Sequence, residues 1–315
     1  ANTFAMEAIA ELSTALYEQG GYDIRLEAAI AKLYNTEAGW RIVDDALQIR
    51  GGRGYETAQS LEARGEKPIP IERAMRDFRI NLIFEGSSEI MRLFIAREAV
   101  DWHFRTAFDV VNPEATRQER MAALARSARF YPGWYASRWL GGLRSHGDFG
   151  ALAGHVRFVE RATRKLGRAI FHAMVRLGPK LEKRQMVLFR AVDIGAELFA
   201  MAATCSRALM LARQEGGNRN AIDLADTFCR EARVRVRDHF RGLFGPNDPA
   251  LYRLSQSVLR GEYAWLESGI VPLAVRGEEG AEPAGRPAAA PDGRESRAAE
   301  RVSAPASAVS DPVTR

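Results

Sequence analysis

Apolar residues recur every three to four positions along most of the chain up to about residue 275, the spacing of one face of an α-helix. Residues 3–18 put Phe4, Ala8, Leu12 and Leu16 on one side, and Gln19-Gly20-Gly21 stops the run. A longer helix is predicted from about Ile24 to Arg50, where Ile30, Leu33, Trp40 and Leu47 share a narrow stripe suited to a bundle. The run Gly51-Gly52-Arg53-Gly54 ends it. Residues 56–70 are charged, contain Pro68 and Pro70, and read as a loop. A short helix is expected over about Ile71–Ile83 and another from Ser88 to about Phe108, closed by Asn112-Pro113.

Past Pro113 the pattern predicts a helix over 114–130, broken by Tyr131-Pro132-Gly133-Trp134, with loops at Gly141-Gly142 and Ser145-His146-Gly147-Asp148. Helices follow over about 151–177, interrupted by Gly178-Pro179, then on to Arg213, over 221–243 and over 250–259. No strand pair and no internal repeat is visible, so the expected fold class is all-α. After about Val275 the residues are mainly Ala, Pro, Gly, Glu, Arg and Ser without periodicity, which predicts a disordered tail. The expected organisation is a helical bundle over 1–112, a second helical domain over 113–272 and the tail over 273–315. The first helical pattern opens without a cap, so the bundle is expected to begin upstream of residue 1.

Composition narrows this picture only a little. A hydrophobic fraction of 46% is ample for a core, and the formal charge is +5. Arginine far outnumbers lysine, which stands only at positions 32, 67, 165, 180 and 183. Cys205 and Cys229 have no metal or redox spacing and read as reduced, buried thiols. The amino-terminal residues lack a basic region followed by an apolar block, and the longest uncharged apolar stretch, Leu198 to Ser206, is far shorter than the roughly 20 residues of a membrane span. A cytoplasmic location is therefore expected.

Arg157, Arg161, Arg164 and Arg168 share one helix face, and Arg230, Arg233, Arg237 and Arg241 share another. Such a face is either solvated or lies on an anionic membrane. Without a recognised motif or interleaved aromatic platform, nucleic acid is not an expected partner. The histidines at 103, 146, 155, 172 and 239 form no metal-ligand pair, and Trp134, Tyr135 and Trp139 read as packing anchors.

The stretch that carries chemistry is Gln48–Ile90. Its first half, Gln48-Ile49-Arg50-Gly51-Gly52-Arg53-Gly54-Tyr55, lets backbone N–H groups approach a flat or anionic group. Its second half, Phe84-Glu85-Gly86-Ser87-Ser88-Glu89-Ile90, sets one acid between the apolar run Ile80, Leu82, Ile83, Phe84 and a glycine. A carboxylate against an apolar wall is a candidate for proton abstraction. Ser87 and Ser88 look like caps for the next helix, whose positive end faces the acid.

With Ile71-Glu72-Arg73-Ala74-Met75-Arg76-Asp77 between the halves, this order resembles the C-terminal domain of the acyl-CoA dehydrogenase family. The run Gln185–Leu243, with Asp193-Ile194-Gly195-Ala196-Glu197 and Cys229-Arg230-Glu231-Ala232, resembles the extra domain of very-long-chain acyl-CoA dehydrogenases. The resemblance implies an FAD-dependent α,β-dehydrogenation of fatty acyl-CoA in which Glu85 is the base, and places Gly86 along the substrate thioester. It assigns Gln48, Ile49, Arg50, Gly51 and Gly52 to the adenine and pyrophosphate end of FAD, typically that of a neighbouring subunit, and Ser87, Ser88 and Glu89 to further FAD contacts. A homo-oligomer, an electron-transfer flavoprotein as acceptor and peripheral membrane contact are also implied. The family's other domains and an upstream FAD-binding arginine have no counterpart here, so the isolated polypeptide is expected to be inactive. The alternative expectation is a non-catalytic module for assembly with a complete dehydrogenase or for membrane docking.

Overall fold

The structure, a computed structural model, describes residues 1–21, 23–112, 114–140, 145–214 and 217–266, and these contain helices and no strand. The expected tail over 273–315 and the Gly141-Gly142 turn lie outside the described residues. Six helices carry most of the described residues in 1–112: α1 (Asn2–Gln19), α2 (Arg25–Arg50), α3 (Gly52–Tyr55), α4 (Ala58–Ala63), α5 (Ile71–Arg79) and, after a 3-10 turn at Ile80–Leu82, α6 (Ser88–Val111). The chain continues as α7 (Arg117–Ser137), α8 (Ala153–Leu177), α9 (Gln185–Arg213), α10 (Ala221–Gly242) and α11 (Asp248–Leu259).

Residues 1–256 form one compact unit, and its centre is α9. This helix is apolar nearly all round, and Ile194, Leu198, Ala200, Met201, Ala203, Cys205 and Ala208 are buried. A helix of that character must be covered on several sides, and α1, α6, α8 and α10 pack on it. Small residues set the spacing. Ala5 and Ala8 of α1 and Ala225 and Ala232 of α10 are buried in the same core. A second core joins Ala29, Ile30 and Leu33 of α2 to Ile95 and Ala96 of α6 and Val192 and Ala196 of α9. Between α2, α6, α8 and α9 lies a cavity of about 330 Å³, lined by apolar side chains such as Ile95, Leu166, Ile170 and Phe199.

A charge clasp crosses the same junction. The Arg92 guanidinium of α6 donates to both carboxylate oxygens of Glu37 on α2, at 2.7 and 2.8 Å, and to Asp193 Oδ1 on α9 at 2.8 Å. Burial pushes the Asp193 carboxyl up, and Arg92 opposes that shift. Arg235 of α10 pairs in the same forked way with Glu197 of α9, at 2.6 and 3.0 Å.

Several expectations are corrected. The stretch 56–70 is not a plain loop. Thr57 caps α4, Leu61 is fully buried, and Glu56 is tied by Arg53 and Arg64. The predicted break at Tyr131-Pro132-Gly133-Trp134 does not occur, because α7 runs through Pro132. The lost backbone bond is outweighed there by aromatic packing: Tyr131 and Trp134 lie against Phe171 of α8, and His103 of α6 stacks on Tyr131. The Ser145–Asp148 loop passes into a 3-10 segment at Gly147.

The α8 arginine face is only partly solvated. Arg164 donates to the carbonyls of Ser137 and Leu140 at 2.7 Å each, Arg168 donates to the Arg138 carbonyl, and its guanidinium lies 4.1 Å from the Trp139 ring centroid. Both side chains cap the otherwise unsatisfied carbonyl end of α7, which leaves Arg157 and Arg161 exposed. On α10, Arg230 and Arg241 pair with Asp226 and Asp238, and Arg233 and Arg237 lie over Phe158. No described helix is long and apolar enough to cross a membrane.

Replacing Arg92 by Met strands the Asp193 carboxylate and leaves Glu37 with only the longer Arg41 contact at 3.6 Å. The expected cost is about 3–5 kcal/mol, read as a lowered urea midpoint at neutral pH. A loss below about 1 kcal/mol would show that the clasp is dispensable.

Candidate functional site

The Glu85 segment is a reversal between the 3-10 turn at Ile80–Leu82 and α6. It begins with two backbone bonds onto one carbonyl, from Ile83 and Phe84 N–H to Ile80 C=O. Glu85 then takes φ 52° and Gly86 takes φ 86°. Glu85 is the one non-glycine residue with positive φ among the described residues. That conformation costs a non-glycine residue roughly 1–2 kcal/mol and is concentrated at functional sites. At Gly86 an added Cβ would lie 2.6 Å from Met91 Sδ, which the flexible Met91 side chain can relieve by shifting, so it is the positive φ that calls for glycine. Ser87 accepts a hydrogen bond from the Ile90 N–H at 3.4 Å and caps α6, as the sequence predicts. Ser88 is not the cap. It is the first helical residue, it is buried, and its Oγ has no partner among the described residues. An outside group therefore reaches Ser87 and Glu89 more readily than the Ser88 side chain.

Glu85 itself is exposed. The expected apolar wall is present but uncovered: Ile80 is 46% exposed, Ile83 54% and Phe84 47%. No described part of the chain buries this ledge, so the carboxylate is not desolvated here. The loop is instead secured from behind. Lys32 of α2 donates to the Asn81 carbonyl at 3.0 Å and also to the Gly86 carbonyl. Burial pushes the Lys32 ammonium down, while the carboxylates of Glu37 and Glu85 pull it back up.

The glycine segment lies elsewhere. Gln48, Ile49 and Arg50 form the last turn of α2, and Gly51 ends it at φ 57°. Gln48, Ile49, Gly51 and Gly52 are exposed, and the half-buried Arg50 has its Nε without a partner among the described residues. Gly51 needs its positive φ. Gly52 has no positive φ, and a Cβ built there meets nothing within 4 Å. Nothing inside the chain demands glycine at 52, whereas close approach by an outside group would. Lys32 and Arg50 stand about 27 Å apart along the continuous helix α2. The structure thus does not bring the two predicted half-sites together. They sit at opposite ends of one helix.

Other chemically able groups are engaged structurally. His103 bonds to Tyr131 Oη at 3.1 Å, His146 to Glu160 at 3.0 Å, His155 to Asp226 at 2.9 Å and His172 to Tyr135 Oη at 2.9 Å. His155 and Arg230 hold the Asp226 carboxyl below its ordinary range. No metal-binding cluster occurs among the described residues. Cys205 and Cys229 are buried and 3.6 Å apart, so the thiols touch although their spacing gave no sign of it. Lys32 and the Arg92 clasp were also missed by sequence reasoning. The one available signal for Lys32 is the rarity of lysine in an arginine-rich chain.

Residues 1–100 match the family model of the acyl-CoA dehydrogenase C-terminal domain, and residues 151–260 match that of the ACAD9/ACADV C-terminal domain. A probable acyl-CoA dehydrogenase of Mycobacterium tuberculosis, FadE10, is 48% identical over 275 residues, covering 86% of this chain and 42% of the relative. The human mitochondrial very long-chain specific acyl-CoA dehydrogenase is 28% identical over 261 residues, covering 81% of this chain and 38% of the relative. The crystal structure of an acyl-CoA dehydrogenase complexed with FAD from Bacillus anthracis superimposes with a TM-score of 0.54 at 21% identity, over 80% of this chain and 42% of that one, a likeness of fold. The chain thus spans about two fifths of the length of these relatives.

The two glycines should respond oppositely to alanine. Gly86→Ala is expected to lose about 1–2 kcal/mol of stability, because it forces a Cβ into a left-handed backbone and makes Met91 shift. Gly52→Ala should leave the urea midpoint within about 0.5 kcal/mol or raise it. Equal losses at both positions would contradict this account.

Proposed function

We propose, for a chain that belongs to the acyl-CoA dehydrogenase family through its C-terminal domains, that it supplies the catalytic base and part of the cofactor surface of an FAD-dependent acyl-CoA dehydrogenase. In this reading residues 1–112 are the family's helical bundle and residues 113–272 its helical extension. The observation that carries the proposal is the left-handed Glu85, raised on an exposed apolar ledge and followed by a glycine that no side chain can replace without strain. Strain of this kind persists where a side chain must be aimed.

The α C–H of a fatty acyl thioester is a weak acid, so its base must be close, aimed and dry. The Glu85 carboxylate takes that proton and becomes a carboxylic acid. Gly86 leaves the thioester room to pass. Covering Ile80, Ile83 and Phe84 with another apolar surface would remove water from the carboxylate and strengthen it as a base. The first turn of α6, capped by Ser87, directs its partial positive charge toward the same space. Bound FAD supplies the acceptor for the hydride leaving the β-carbon.

The exposed Gln48-Ile49-Arg50-Gly51-Gly52 segment fits a flat or anionic group arriving from outside, because Gly52 answers to no internal demand. With about 27 Å of α2 between that segment and the Glu85 loop, we assign it to the flavin of a neighbouring copy. Oligomer formation and transfer to an electron-transfer flavoprotein belong to the same proposal.

In the flavin-loaded enzyme Glu85→Gln should lower turnover of a fatty acyl-CoA by at least about 10²–10⁴-fold with flavin content unchanged. Retained turnover would remove Glu85 from its role. The 315-residue polypeptide alone should bind no stoichiometric flavin, since its ledge is uncovered. A yellow preparation that bleaches on addition of an acyl-CoA would contradict this.

A further inference from the structure

We propose that Lys32 is the positioning residue of the Glu85 loop, its ammonium pinning the backbone on both sides of the base so that the carboxylate is held at one point. The proposal rests on the reading of Glu85 as the base.

The geometry is specific. Lys32 projects from the second turn of α2 and donates to the carbonyls of Asn81 and Gly86, which bracket Glu85 in the chain. Among the described residues no other side chain outside the loop hydrogen-bonds to the backbone of 81–86. The residues between the two carbonyls are largely exposed and gain little from packing. Glu85 is in a backbone state that is uphill for a residue with a Cβ. Such a state persists only when something outside the segment holds it, and Lys32 is placed to do so.

The choice of residue supports the role. Lysine stands at five positions in a chain with 45 basic residues, so lysine at 32 is not the default cation. An ammonium is a compact point charge whose donors fan out in three directions, which suits two carbonyls from separate peptide planes. A guanidinium offers a flat fork matched to one carboxylate, the use the chain makes of Arg92 and Arg235. Two carboxylates face Lys32, Glu37 and Glu85. Of the two, Glu37 acts on Lys32 more strongly and Glu85 less, so the hold on the Glu85 loop is carried by the two backbone bonds rather than by charge attraction.

Two measurements test this. In the 315-residue chain, amide hydrogen exchange is compared for the native sequence and Lys32→Met, which keeps the aliphatic stem. Exchange at Ile83 and Phe84, whose N–H groups donate to the Ile80 carbonyl, should quicken at least tenfold, with the interiors of α2 and α6 unchanged. Lys32→Gln serves where methionine prevents folding. In the flavin-loaded enzyme, Lys32→Met should lower kcat about 10- to 100-fold with KM altered less than about threefold and flavin content unchanged. Added to Glu85→Gln it should lower turnover no further, because a residue acting through Glu85 has nothing left to position.

Unchanged exchange at Ile83 and Phe84 overturns the tether. A faster loop with native kcat overturns the positioning role, and so does a loss that multiplies with that of Glu85→Gln. Failure of the Glu85 reading is separate. It shows as turnover retained in Glu85→Gln alone, and the exchange result stands or falls independently of it.

Discussion

The junction of α2, α6 and α9 depends on one guanidinium. Arg92 is bonded at once to Glu37 and Asp193, and the three groups compensate one another in a place where water is scarce. Removing Arg92 would leave the Asp193 carboxylate without its partner and Glu37 with only the longer Arg41 contact, which is costlier than never having placed the charges there. The clasp fixes α6 against α2, and with it the relation between the capped start of α6 and the lysine that reaches the Glu85 loop. The same residue ties both to α9, the helix around which the rest of residues 1–256 is packed. A polar interaction thus sets the register of an apolar core. Alanine-rich helices slide past one another easily, and a forked salt bridge does not.

The second organising fact is that α2 is long and unbroken. Its amino-terminal half supports the loop with the candidate base, and its carboxyl end presents the glycine segment. One rigid rod therefore holds two partial surfaces at a fixed distance without joining them. In the proposed reading each end completes a different pocket, and a change at one end cannot be repaired by local movement at the other.

Much of this was legible in the sequence, for identifiable reasons. Helix positions followed from apolar spacing, and the Ser87 cap from its place before a periodic run. Glu85 and Gly86 stood out because their neighbours differ so sharply from them. What was not legible depended on contacts far apart in the chain. Pro132 reads locally as a break, and only the rings of His103 and Phe171 show why α7 continues through it. Arg164 and Arg168 read as a solvated face until α7 is seen to end against them. Lys32 is 53 residues from Glu85 in sequence, and no local pattern joins the two. The exposure of Glu85 was not legible for the opposite reason. An apolar run predicts a wall but not whether anything covers it.

The cleft between α2, α6, α8 and α9 leaves part of the apolar interior in view of solvent. Its walls are apolar and its volume is about 330 Å³. Apolar atoms that face such a gap forgo the dispersion contacts that a closed seam would give them. The α8 side chains that line it, Val159, Leu166 and Ile170, therefore gain less from α2, α6 and α9 than a closed seam would give, and a bulkier apolar side chain has room there.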